Sequence, residues 1–156
     1  MKAYRGGAIV RTGLLVVPAI WLGLLLGVSF LATPAKFLAP SLTLAIALDV
    51  GRATFAIWNI AEWLALGLLL LLGLLGKAGR FFLLAALLLL ALLLIQTAIL
   101  LPALDERVAA IIAGRQPPSS WHHLFYIVID VAKLQVLGVL IWWQGYRLSA
   151  AGPGAA

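Results

Sequence analysis

The sequence contains no cysteine, which excludes disulfides, a thiolate nucleophile and thiolate metal sites. Charge is nearly as scarce: Asp, Glu, Lys and Arg make up 10% of the 156 residues, against about 25% in a soluble domain. There are five acidic residues and two histidines, so any acid–base or metal chemistry must draw on a very small set. The chain has no nucleotide loop, no GxSxG, no HExxH and no paired Glu-x-x-His, which removes the common hydrolase, zinc-protease and di-iron signatures. It also lacks the broken-helix inverted repeat of many transporters. Its net charge of +6 comes from scattered residues with no basic run and no interleaved aromatics. Basic residues beside apolar segments set topology and meet anionic headgroups, so nucleic acid is not an expected partner.

What the sequence has in excess is apolar surface. Hydrophobic residues make up 65% of it, against about 45–50% in a soluble domain, and the mean hydropathy is +1.15. A fold of this size cannot bury that much apolar surface in its own interior, so the lipid bilayer is the expected partner. A helix crosses the hydrocarbon core with about 20 apolar residues. Four segments qualify: about Thr12–Thr33, Ala53–Leu75, Phe81–Leu101 and Trp121–Trp143. Backbone groups in lipid must bond within their own segment, and Leu and Ala are good helix formers. The predicted fold is all-α, an integral membrane four-helix bundle forming one domain over residues 1–148, with 149–156 a flexible tail. Lys2, Arg5 and Arg11 ahead of the first span resemble a signal peptide, but the apolar stretch exceeds an h-region in length, which favours a retained anchor. Pro18 falls early in that span, where it is tolerated or kinks the helix.

Lys2, Arg5, Arg11, Lys77, Arg80 and Arg147 flank one side of the spans, and Lys36, Arg52, Arg107 and Arg115 the other. Six against four predicts cytoplasmic termini and a cell inner membrane protein whose two longer loops, Pro34–Arg52 and Pro102–Ser120, face outward. Each outer loop is expected to hold a short interfacial helix, over Leu42–Leu48 and over Ala103–Ala113, the latter stopped by Gly114.

Ionisable residues inside a span cost roughly 2.5–3.5 kcal/mol each on insertion scales, so each needs a reason. Arg52, Phe55, Asn59 and Glu62 stand at offsets 0, 3, 7 and 10, on one helical face. His123, Tyr126, Asp130 and Lys133 repeat those offsets on the fourth span. At about 1.5 Å per residue, Glu62, Asp130 and Lys133 lie roughly 13–18 Å from the outer ends of their spans. Gln96 and Ser29 fall in the same half. The inner half is nearly pure Leu, Ala, Ile and Gly, so the polar groups converge toward the outer face.

Two readings follow. In one, Lys133 sits between Glu62 and Asp130 while Asn59, Tyr126 and Gln96 complete the hydrogen bonds, a network that fixes helix register. In the other, Arg52, Asn59, Glu62, Gln96, His123, Tyr126, Asp130 and Lys133 form a ligand or ion site. Two carboxylates and one lysine leave a surplus negative charge, to be balanced by Arg52, a proton or a cation. Such a site predicts a pocket between spans two and four, with Arg52 at its mouth, His123 and Tyr126 in its wall and both carboxylates as its floor. Those acids favour a cationic or proton-coupled ligand. His122 and His123 point about 100° apart on a helix and do not chelate one metal together. Either, with Asp105, Glu106 or Glu62, has the donor chemistry for a divalent cation; the alternative is an interfacial belt with Trp121. No second axial histidine is present for a haem. Trp142, Trp143, Tyr146 and Arg147 form the matching inner belt, while Trp58 and Trp63 flank Glu62 at depth.

Trp21-Leu22-Gly23 through Phe30, Thr33-Pro34-Ala35-Lys36-Phe37, Gly51-Arg52-Ala53-Thr54-Phe55 with Asn59 and Glu62, Leu101-Pro102-Ala103-Leu104-Asp105 and His122-His123 carry a resemblance over most of the chain. The sequence resembles small four-span bacterial membrane proteins of unassigned function. More distantly it is similar to four-span domain-of-unknown-function proteins with a Pro and Phe after the first helix and a His opening the last. The resemblance implies a fold and no chemistry, and Asp130 and Lys133 have no counterpart in it. The expectation for function is a non-enzymatic membrane protein, an accessory subunit of a larger membrane complex or a homo-oligomer. Gly23 and Gly27 permit close helix contacts. The alternative is a small transporter or binding protein for a cation or amphipathic ligand, using the outer-half polar cluster; a membrane enzyme acting on lipid or quinone is the third.

Overall fold

The structure, a computed structural model, describes residues 2–150, with side chains from residue 7 onward. The side chains of Lys2 and Arg5, two of the six basic groups assigned to the inner side, and tail residues 151–156 lie outside the described residues. Ser149 and Ala150 close the last helix.

Four apolar helices, each long enough to cross a bilayer, make an all-α bundle: Gly7–Leu38, Leu44–Leu75, Arg80–Ile112 and His122–Ala150. The first helix packs against the second and fourth, and the third closes the ring between them. Consecutive helices joined by short connections are neighbours, the up-down arrangement of a simple bundle. The chain is a multi-pass membrane protein of this class.

The helices are longer than the apolar spans alone suggest. The second has 32 residues, about 48 Å at 1.5 Å per residue, against a hydrocarbon core of about 30 Å. Leu44–Leu48 is therefore helical, but as the opening turns of the second span helix, capped by Thr43 Oγ1 accepting from Ile46 N. Likewise Leu101–Ile112 follows the third helix with no intervening loop, ending before Gly114 at φ +74°. The two outer-loop helices are thus projecting ends of spans. The reason is local: no proline interrupts Leu44 to Ala53, and Gly51 and Asp49 are accommodated within the helix, while Pro102, interior to the third helix, is accommodated by the π-helical turn before it.

Proline shapes both outer ends in the same way. Leu26–Ala32 and Gln96–Leu100 are π-helical, each closing just before a proline, Pro34 and Pro102. A helical proline clashes with the carbonyl four residues back, here Phe30 and Ala98. Both carbonyls lie within the wider turns, which relieve the clash. The Val28 carbonyl accepts both the Thr33 backbone N–H and Thr33 Oγ1, the latter at 2.8 Å, which fastens the end of the wider turn. Pro18, in contrast, leaves the first helix α-helical through Leu25.

Between the second and third helices, residues 76–79 form the expected tight turn, with Lys77 at φ +47°. Gly73 admits the Phe82 ring so closely that a Cβ would overlap it, which draws the second and third helices together. The core is Leu25, Leu69, Leu89, Leu93 and Leu137, all fully buried.

Candidate functional site

Five buried side chains, Trp21, Glu62, Gln96, Asp130 and Lys133, form one network reaching all four helices. Lys133 Nζ lies 2.5 Å from Glu62 Oε1 and 3.0 Å from Asp130 Oδ1. The first helix adds Trp21, whose Nε1 donates to Glu62 Oε1 at 3.1 Å. The third adds Gln96, whose Nε2 donates to Asp130 Oδ1 at 2.8 Å and to the Tyr126 carbonyl at 3.4 Å. Glu62, Gln96 and Lys133 are entirely inaccessible, and Asp130 is 1% exposed. The lysine does not snorkel to an interface, because both counter-charges are held at its own depth.

The network carries two carboxylates and one ammonium. Arg52 does not supply the balancing charge: it is exposed and bonded to Asp49 Oδ1 at 2.6 Å, on the helix turn before it. Among the described residues, Lys133 is the one cationic side chain within ion-pair distance of Glu62 or Asp130. Among the described residues, Glu62 Oε2, Gln96 Oε1, Tyr126 OH, Ser29 Oγ and Trp58 Nε1 are buried without a hydrogen-bond partner. Of these, Glu62 Oε2 and Gln96 Oε1 are acceptors within the network.

Asn59 lies outside the network. Its Nδ2 donates to Thr97 Oγ1 at 2.8 Å, and Trp63 Nε1 donates to the same oxygen at 3.0 Å. Thr97 therefore joins the second and third helices beside the ionic centre. Sequence reasoning missed Trp21 and Thr97. The available signal for Trp21 was an indole N–H in the middle of an apolar span, which needs an acceptor when buried; Thr97 adjoins Gln96.

Above the network is a chamber of about 410 Å³, within the usual range for small-molecule sites. All four helical rods and the approach to the fourth contribute to it. Its walls are apolar, from Leu44 and Leu48, from Leu101, Leu104 and Val108, and from Phe37. Lys36, Arg52, Arg107, Asp105 and His123 supply its polar rim. Tyr126 and Phe55 close the bottom, their rings edge to face at 5.2 Å. Asp130 is one helical turn, about 6 Å, below Tyr126. The expected floor is thus corrected. Arg52 stands at the rim and His123 and Tyr126 are in the lining, but the first and third helices line the chamber together with the second and fourth, and Glu62 and Asp130 are sealed beneath the aromatic pair because Tyr126 and Phe55 fill the intervening turn.

Asp105 and His123 both line the chamber, whereas Glu106 and His122 do not. Among the described residues, no three His, Asp or Glu side chains gather as a metal site needs. Arg107 Nη1 donates to the Pro118 carbonyl, tying the helix end at 101–112 to the segment entering the fourth helix. At the opposite end of the bundle, Trp142 stacks on Tyr146 and Phe81 packs on Trp143.

No family model, no curated protein and no solved structure matches this chain, so the four-span resemblance rests on the quoted residues alone.

Proposed function

We propose that this protein is a non-enzymatic membrane protein that binds or moves a small amphipathic ligand through its outer chamber. The observation that carries this reading is the chamber itself: apolar walls, a charged rim and a closed aromatic floor, built jointly by all four helices. The ionic network beneath fixes the relative positions of those helices, and its surplus negative charge gives a place for a proton or cation that couples to occupancy above. The site is set in an inner membrane protein with cytoplasmic termini, supported by the six-to-four basic bias, and its chamber faces outward. The test is binding of a fluorescent dodecyl-chain probe to the purified full chain in nanodiscs. Leu104→Trp, which fills the chamber, abolishes saturable binding while leaving thermal stability intact. Equal binding by that variant overturns the reading.

A second reading is supported by a separate observation. Among the described residues, a Cβ on Gly23 or Gly27 would meet nothing within 4 Å, so none of them packs on this small-residue face of the first helix. It suits close approach of another helix, from a second copy or from the larger complex of which this chain is an accessory subunit. Gly23→Leu with Gly27→Leu then lowers the oligomer mass in nanodiscs or detergent; an unchanged mass removes the support.

A further inference from the structure

The rim of the chamber has a charge sign that the buried carboxylates conceal. Lys36, Arg52 and Arg107 line it against one acid, Asp105. Arg52 is matched by Asp49. Lys36 has no carboxylate within ion-pair distance among the described residues; its ammonium lies 5.1 Å from the Phe37 ring centre and against the backbone of Gly51. Gly51 is buried, and a Cβ there would overlap Lys36 Nζ. The glycine therefore makes a notch that seats this ammonium in the wall, half-buried and above the apolar chamber. Glu62 and Asp130 do not offset it, since the Tyr126–Phe55 floor separates them from the chamber. Apolar depth below a basic rim matches a molecule with a compact anion at one end and hydrocarbon at the other. The volume admits one chain; a two-chain phospholipid is far larger.

Resting on the ligand-chamber reading, we infer that the occupant is a single-chain amphiphile with a compact anionic headgroup, a carboxylate or a phosphate monoester, held by Lys36 in the Gly51 notch. The chain lies along Leu48, Leu104 and Val108. Arg107, already anchored to Pro118, contributes the second positive charge. The sign of the ligand is opposite to the one that the buried acids suggest when the floor is unknown.

The experiment uses the full chain in nanodiscs with an environment-sensitive fluorophore on Ser120→Cys, a chamber-lining position and the only thiol in the protein. The label on Trp142→Cys, at the other end of the bundle, controls for bilayer partitioning. Dodecanoate, dodecyl phosphate, dodecanol and dodecyltrimethylammonium are titrated separately. The expected result is saturation by one or both anions at concentrations at least tenfold below dodecanol, with the cation weakest. Dodecanoate against dodecyl phosphate distinguishes a carboxylate from a phosphate source. Lys36→Gln removes the tenfold advantage. Gly51→Leu, which keeps the lysine but closes its notch, does the same, so a folding failure of one variant leaves the other to decide. Equal saturation by all four amphiphiles, or tightest binding of the cation, overturns the anionic assignment while the chamber reading stands. No saturable change with any of them overturns both.

Discussion

Glu62 and Lys133 are 71 positions apart in sequence and 2.5 Å apart in space, with neither side chain accessible from outside the bundle. Their contact ties the second helix to the fourth at the level where Trp21 and Gln96 arrive from the other two. Everything above that level, including the chamber, takes its shape from helices held in register there.

Because each charge is held by others, removing one alone is costly. Lys133→Ala strands two buried carboxylates and is expected to destabilise by about 3–5 kcal/mol. Adding Glu62→Gln to that variant recovers part of the loss. Thermal unfolding in detergent of the two singles and the double measures the coupling. Additive costs would mean the groups do not interact.

Trp21→Phe keeps the ring packing and deletes one donor to Glu62. Polar contacts between membrane helices average about 0.6 kcal/mol, so a small loss of that order is expected, well below that of Lys133→Ala. A loss matching Lys133→Ala would make the indole N–H, and not the lysine, the main partner of Glu62.

Thr97→Val preserves shape and removes the oxygen shared by Asn59 and Trp63. Two donors lose their partner at once, at about 1–3 kcal/mol for each group left unsatisfied. Thr97→Ser retains the oxygen and is expected to unfold close to the parent temperature. Equal melting of the Val and Ser variants contradicts this role.

Orientation is tested with a C-terminal reporter. With cytoplasmic termini, a reporter active only outside the cytoplasm stays silent and a cytoplasmic one reads strongly. The reverse pattern inverts the chamber to the inner face.

The sequence made the four spans legible through hydropathy alone, and the Glu62–Lys133–Asp130 cluster through depth and the shared offsets. Gln96 was legible as a polar residue at matching depth. The lipid-facing and core-facing sides were not. Leu69 is fully buried while Leu68 and Leu71 are 47% and 52% exposed, yet all three are leucine, because lipid accepts the residue as readily as the core does. Hydropathy alone cannot orient such a helix, and only its few polar residues do so: Leu69 follows Glu62 by seven positions, on the same face. That is why Trp21 went unassigned and why Phe55 and Tyr126 were not recognised as a floor. The π-helical turns leave only the trace of Pro34 and Pro102, and the lengths of the projecting ends depend on contacts between segments far apart in the chain.

The most direct test of the chamber is its accessibility, and the absence of cysteine makes it clean. Leu104→Cys in the chamber, Leu137→Cys in the core and Ile57→Cys on the lipid face are each the only thiol in the purified protein in nanodiscs. The account predicts that a small water-soluble maleimide labels Leu104→Cys, that dodecanoate or dodecanol slows that labelling, and that the other two positions stay unreactive. Leu104→Cys as inert as Leu137→Cys, or labelled at a rate that neither amphiphile changes, would contradict it.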